Sequence, residues 1–130
     1  MVHDGEWRDL TETESLILTR MLAAEFSGVE QLREQARNLL VRTIDKEGSL
    51  ALLVQSVVHA VVEHRIPVEA SYSDSEDSRT DGHPRVHFLL HVIDGLMTEL
   101  EVCKDDGSPI VRDPAVAELR LFTPSNWDNE

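Results

Sequence analysis

The chain has 130 residues, 41% hydrophobic and 28% charged, a balance that suits a single soluble domain over residues 1–130. Twenty-five acids against 12 bases leave a net charge of −13, which opposes binding to nucleic-acid phosphates or an anionic membrane surface. No apolar run approaches the ~20 residues of a membrane-spanning helix. The start, MVHDGEWRDL, lacks the basic and apolar regions of a secretory leader, and Cys103 is alone, which excludes an intrachain disulfide or a cysteine-based zinc site. The expected location is the cytoplasm.

In chain order, residues 1–9 form a polar, frayed and only partly ordered lead-in containing Trp7. Thr11-Glu-Thr-Glu14 has the form of a capping box, and Ile17, Leu18, Met21, Leu22 and Phe26 behind it fall on one helical stripe. This predicts a helix over 12–25. Ser27-Gly-Val-Glu30 has the same form and predicts a second helix over 29–37, with Val29, Leu32 and Ala36 inward and Glu30, Arg33, Glu34 and Arg37 outward. From Asn38 the period shortens to two. NLLVRTI-DKEG-SLALLVQ reads as strands over 39–44 and 49–55 that pair Leu39 with Val54, Val41 with Leu52 and Thr43 with Leu50. A helix through 51–63 competes with the second strand, and valine density favours the strand.

A strand over 65–73 turns Ile66, Val68, Ala70 and Tyr72 inward, with Pro67 requiring an edge or a bulge. Residues 74–84 form a charged, serine-rich loop expected to be solvated and mobile. The most regular alternation lies in RVHFLLHVIDGLMTELEVCK, two strands over 85–92 and 96–103. A two-residue Asp94-Gly95 loop would set Phe88 opposite Glu101 and mix the two faces. A three-residue loop, Ile93-Asp94-Gly95, instead pairs Val92 with Leu96, Phe88 with Leu100 and Val86 with Val102 on one face, and His91 with Met97, Leu89 with Glu99 and His87 with Glu101 on the other. Asp105–Pro109 reads as a turn, Asp113-Pro114 as the cap of a short helical turn that packs Leu119 and Phe122 back, and 125–130 as a frayed end. The fold class is α+β: two N-terminal helices packed on one face of an antiparallel sheet of about five strands.

His87, His91, Glu99 and Glu101 share a sheet face, joined by Glu69 if its strand is a neighbour. Such residues can bind a ligand or metal, or supply a general acid and base. A solvated face whose charges pair across strands explains them equally, each pair contributing about 0.2–1 kcal/mol. Residues four apart on a strand sit roughly 13 Å apart, too far for both histidines to hold one ion, so no metal and no cofactor are expected. The segment 74–82 lacks the glycine and terminal glutamate of a calcium loop. No nucleophile elbow or phosphate-binding glycine pattern occurs, and nothing in the sequence activates Cys103. The chemistry leans away from an enzyme and names no catalytic residue.

The segments LTETESLILTRMLAAEFSGVEQLREQ, EGSLALLV, RIPVEASY, VHFLLHVIDG and TELEVCKDDGSPI together resemble a family of small uncharacterised bacterial proteins, in order over about residues 10–110. The resemblance implies a bacterial, actinobacterial, cytosolic domain, and it carries no activity or catalytic residues.

Residues 69–106 hold ten acids against three bases. The expected function is therefore a non-catalytic domain that docks a basic protein, as small acidic immunity or antitoxin proteins do. Asp74, Glu76, Asp77, Asp81, Glu99, Glu101, Asp105 and Asp106 are the candidate partner-binding residues. The alternative is a small enzyme or ligand- or metal-binding domain using Glu69, His87, His91, Glu99 and Glu101.

Overall fold

In the computed structural model, which describes residues 6–74, 84–114 and 118–124, the first capping box forms as its sequence requires. The Glu14 N–H donates to the Thr11 hydroxyl, and the Glu14 carboxylate accepts the Thr11 N–H. The helix it starts, α1 (Glu12–Met21), stops earlier than the expected residue 25. Its C-terminal carbonyls are taken by Arg33, whose Nε donates to the Leu22 oxygen at 2.7 Å. The second capping box does not form. The Ser27 hydroxyl turns to Glu63, and α2 (Val29–Ala36) is capped by Gly28 at φ +91° with no side-chain bond. A Cβ at Gly28 would stand 2.7 Å from the Val61 carbonyl oxygen, so the close approach of that segment requires glycine.

Six strands follow: β1 (Leu39–Thr43), β2 (Leu50–Val54), β3 (Glu69–Ser73), β4 (Arg85–Ile93), β5 (Leu96–Lys104) and β6 (Arg120–Phe122). They form an antiparallel sheet in the order β1-β2-β5-β4-β3-β6. The architecture is the α+β expected, with one strand more than about five. β1 and β2 pair in the expected register. β6, which lies where Leu119 and Phe122 were expected to follow a helical turn, pairs with β3 at the sheet edge instead. The helical turn itself falls largely on residues 115–117, outside the described residues.

The β4–β5 hairpin corrects the expected register. Ile93 pairs with Leu96 across a two-residue Asp94-Gly95 loop, both residues at positive φ, the geometry that matches the twist of the flanking strands. An irregularity between His91 and Val92 then leaves Thr98 unopposed, so that His91 faces Glu99, Leu90 faces Leu100, Leu89 faces Glu101 and Phe88 faces Val102. The bulge undoes the mixing of faces that a two-residue loop causes. Beyond it every partner is displaced by two residues from the expected pairing, an even shift that preserves which face each side chain occupies. Between bulge and turn the shift is one, so Met97 is buried and Leu96 only partly, the reverse of the expectation.

One face of the sheet carries Val41, Leu52, Ala70, Tyr72, Phe88, Leu90, Leu100 and Val102 against Ile17, Leu18, Met21 and Leu32 of the helices. Tyr72 and Phe88 stack with ring centroids 6.1 Å apart. Residues 55–64 form neither strand nor helix. The chain there is held by Gln35, which is fully buried: its Nε2 donates to the carbonyls of Val58 and Gly95, and its Oε1 accepts the Met97 N–H. Ala60 adds a backbone bond to the Gly95 oxygen. Strand β3 starts at Glu69 rather than 65. Val68 and Arg65 still accept bonds from Leu90 and Val92, but Pro67 has no N–H with which to continue the ladder.

Candidate functional site

The helices cover one face of the sheet, and the candidate residues lie on the other. Register places them in rows. One row runs Arg42, Ala51, Glu99, His91, and the next runs Glu101, Leu89, Glu69, Phe122. A third runs Cys103, His87, Ser71, Arg120. Three carboxylates, those of Glu69, Glu99 and Glu101, thus surround the partly exposed Leu89. Basic groups stand toward the ends: Arg42 lies over the Trp7 ring at 4.7 Å, and Arg85 donates to the Ser71 hydroxyl.

The bulge at Thr98 selects the contacts within this face. It sets Glu99 directly opposite His91 and leaves Glu101 diagonal to it, and the His91 Nε2 meets Glu101 Oε1 at 2.8 Å. One ligand-capable atom each from His91, Glu99 and Glu101 lie within 4.8 Å of one another. His87 does not pair with Glu101 as expected. It stands opposite Cys103 and meets Asp105 Oδ1 at 2.7 Å, away from the cluster. Glu69 is a lateral neighbour of Leu89, outside the three-residue group.

Cys103 lies among the charged residues of this face. Burial and then the negative charges of Glu101, Asp105, Glu69 and Asp45 push its thiol up from the ordinary value. A thiol held protonated is a poor nucleophile. Asp105 is held below the usual carboxylate range by the Arg85 N–H and then by His87. Asp106 is held low by the Ser108 hydroxyl and N–H, in a tight turn on the surface.

Asp74 is not solvated as expected; it is buried at the end of the core. Its carboxylate meets Lys104 Nζ at 2.6 Å and accepts the N–H groups of Val111 and Arg112, while Lys104 also donates to the Pro109 carbonyl. This acid fastens the 105–112 segment to the sheet. Glu76, Asp77 and Asp81 lie outside the described residues.

Sequence reasoning missed two polar residues at structural junctions, Gln35 and Lys104. The signal available for Gln35 was its position three residues after Leu32, on the buried stripe of its own helix. Lys104 continues the inward positions Leu100 and Val102 by two.

No helix among the described residues is long and apolar enough to cross a membrane. No curated protein matches the chain, and no solved structure matches it. Residues 7–114 match the family described as domain of unknown function DUF6984, and the chain belongs to that family.

Proposed function

We propose that the protein is a non-catalytic binding domain that presents the open face of its sheet to a basic protein partner, in the manner of small acidic immunity and antitoxin proteins. The observation that carries this reading is the grouping of Glu69, Glu99 and Glu101 around Leu89. An apolar residue with three carboxylates as neighbours suits a docking patch, in which desolvated contacts hold the partner and the charge steers its approach. The test is affinity capture from the host at about 50 mM and about 500 mM salt, a range over which exposed charges become strongly screened. Basic proteins retained at low salt, released at high salt, and not retained by the Glu69→Gln/Glu99→Gln/Glu101→Gln variant are the expected result. Equal retention by that variant would move the docking surface elsewhere, and no retention at either salt would leave the charge as a device for solubility.

A second reading is favoured by His91, Glu99 and Glu101. Two residues two apart on one strand, with a cross-strand neighbour, offer three ligands in a triangle that a divalent metal can cap. Against it stands the His91 Nδ1, which is buried with no hydrogen-bond partner among the described residues. Coordination through Nε2 would place the ring proton on that atom, where metal-bound histidines normally have an acceptor. The docking reading expects Zn²⁺ to leave Tm unchanged. A rise in Tm that His91→Ala abolishes would establish the metal reading in its place.

A further inference from the structure

Between α1 and α2, on the side of the molecule away from the open sheet face, lies a cleft of about 570 Å³. That size falls in the range of roughly 300–1,000 Å³ typical of small-molecule sites. Its apolar wall is made by Leu10, Leu18, Leu22 and Ala36, and two hydroxyls, those of Ser15 and Thr19, line it from α1. Arg33 of α2 and Arg37 just beyond its end bring two bases one helical turn apart, and no carboxylate among the described residues lines the cleft. In a chain of net charge −13, a concave site with two cations and no acid runs against the overall charge.

The two arginines differ in readiness. Arg33 is fixed: its Nε donates to the Leu22 oxygen, and Nη2 reaches the Ala24 oxygen and Glu25. Its Nη1 makes no hydrogen bond among the described residues, so a donor is held in place with the entropy of ordering already lost to the fold. Arg37 is largely exposed, paired with Glu34 at 3.5 Å, and free to swing over a bound group. Each base is thus partly balanced by an exposed acid outside the cleft. The pair compensates one negative charge better than two, which favours a carboxylate over a phosphate dianion.

We infer that the α1–α2 cleft is a binding site for a small amphiphilic carboxylate, its apolar body against Leu10, Leu18 and Ala36 and its head between Arg33 and Arg37. The inference is independent of the docking function assigned to the sheet. It is tested by calorimetric titration of the full chain with decanoate below its micelle concentration, with decanol and acetate as the tail and the charge alone. Saturable one-to-one binding of decanoate is expected, with decanol and acetate at least about tenfold weaker, a difference of about 1.4 kcal/mol. Arg37→Gln, at an exposed position with no packing role, is expected to weaken decanoate about tenfold. Thr19→Trp, exposed on α1, fills the cleft and is expected to abolish binding while far-ultraviolet dichroism stays that of the parent. Absence of saturable binding, equal affinity for decanol, or decanoate affinity unchanged by both substitutions would overturn the inference.

Discussion

Asp74 shows how far a single residue's surroundings can depart from its neighbours in sequence. It opens an acidic, serine-rich stretch, yet it continues the inward alternation of Ala70 and Tyr72 by one more step and ends beside Lys104 in the core. Burial alone would push its carboxyl up. The Lys104 hydrogen bond, the N–H groups of Val111 and Arg112 and the charge of Lys104 outweigh burial and hold it below the ordinary value. Nearby, burial and then the Asp74 charge push the Tyr72 hydroxyl up to about 12, so it stays a donor, to the Arg112 carbonyl. Removing one member of a buried pair leaves the other charged and uncompensated, so Asp74→Ala should cost about 3–5 kcal/mol. Replacing both, Asp74→Ala with Lys104→Met, should recover much of that loss. A group whose pKa is lowered by folding contributes stability that is complete above its unfolded value and is lost as pH falls through the folded one. Wild type should therefore lose stability below about pH 4, and Asp74→Asn should flatten that acid limb. Urea midpoints from pH 7 to pH 2 check both statements; a single variant as stable as wild type at pH 7 would show that the pair does not support the fold.

At the scale of elements, legibility follows how local the determinant is. The Thr11 capping box involves four consecutive residues and forms as read. The β1–β2 register, set by a short turn and two clean alternations, also forms as read. The second capping box was equally local in sequence, but Gly28 is needed where Val61 passes at 2.7 Å from a Cβ position, and that contact spans 33 residues. The hairpin failed for a related reason. Asp94-Gly95 strongly favours a two-residue loop, and the face-mixing that argued against it is resolved by a bulge at Thr98 that no residue type announces. Gln35 favours the two-residue solution, since it grips Gly95 and Met97 at once and holds the turn in one position. The candidate site inherits this pattern. That His91, Glu99 and Glu101 share a face was legible from alternation, which an even shift preserves. Which carboxylate meets which histidine depends on the bulge, and the sequence assigned those partners wrongly. Strand β6 was not legible, because three residues are too few to show a period. The composition of the valine-rich segment 56–64 does not decide between strand, loop and helix, because the segment is placed by Gln35 and Gly95 rather than by a ladder.

For the molecule as a whole, the question is what a net charge of −13 does to stability and to binding, because salt acts on the two in opposite directions. Like charges repel more strongly in the compact state than in the expanded one, so screening should favour the fold. The attractive surface pairs oppose this: Arg8 with Glu14, Arg33 with Glu25 and Arg37 with Glu34 all stand partly in solvent and weaken as salt rises. Exposed pairs of this kind contribute about 0–1 kcal/mol each, whereas the excess of 13 negative charges acts over the entire surface. The Asp74–Lys104 pair is shielded from salt by burial and should change little. Repulsion should therefore dominate, and Tm should rise by a few degrees between about 10 mM and about 300 mM NaCl, corresponding to roughly 1 kcal/mol for a domain of this size. Association through the acidic sheet face should weaken over the same interval. Calorimetric melting at both salts checks the first statement, and a Tm that falls would mean that the local pairs outweigh the global repulsion. The opposite signs also protect the capture experiment from misreading. If stability rises with salt while a basic partner is released, the release cannot come from unfolding, and it reports on the charges of the face itself.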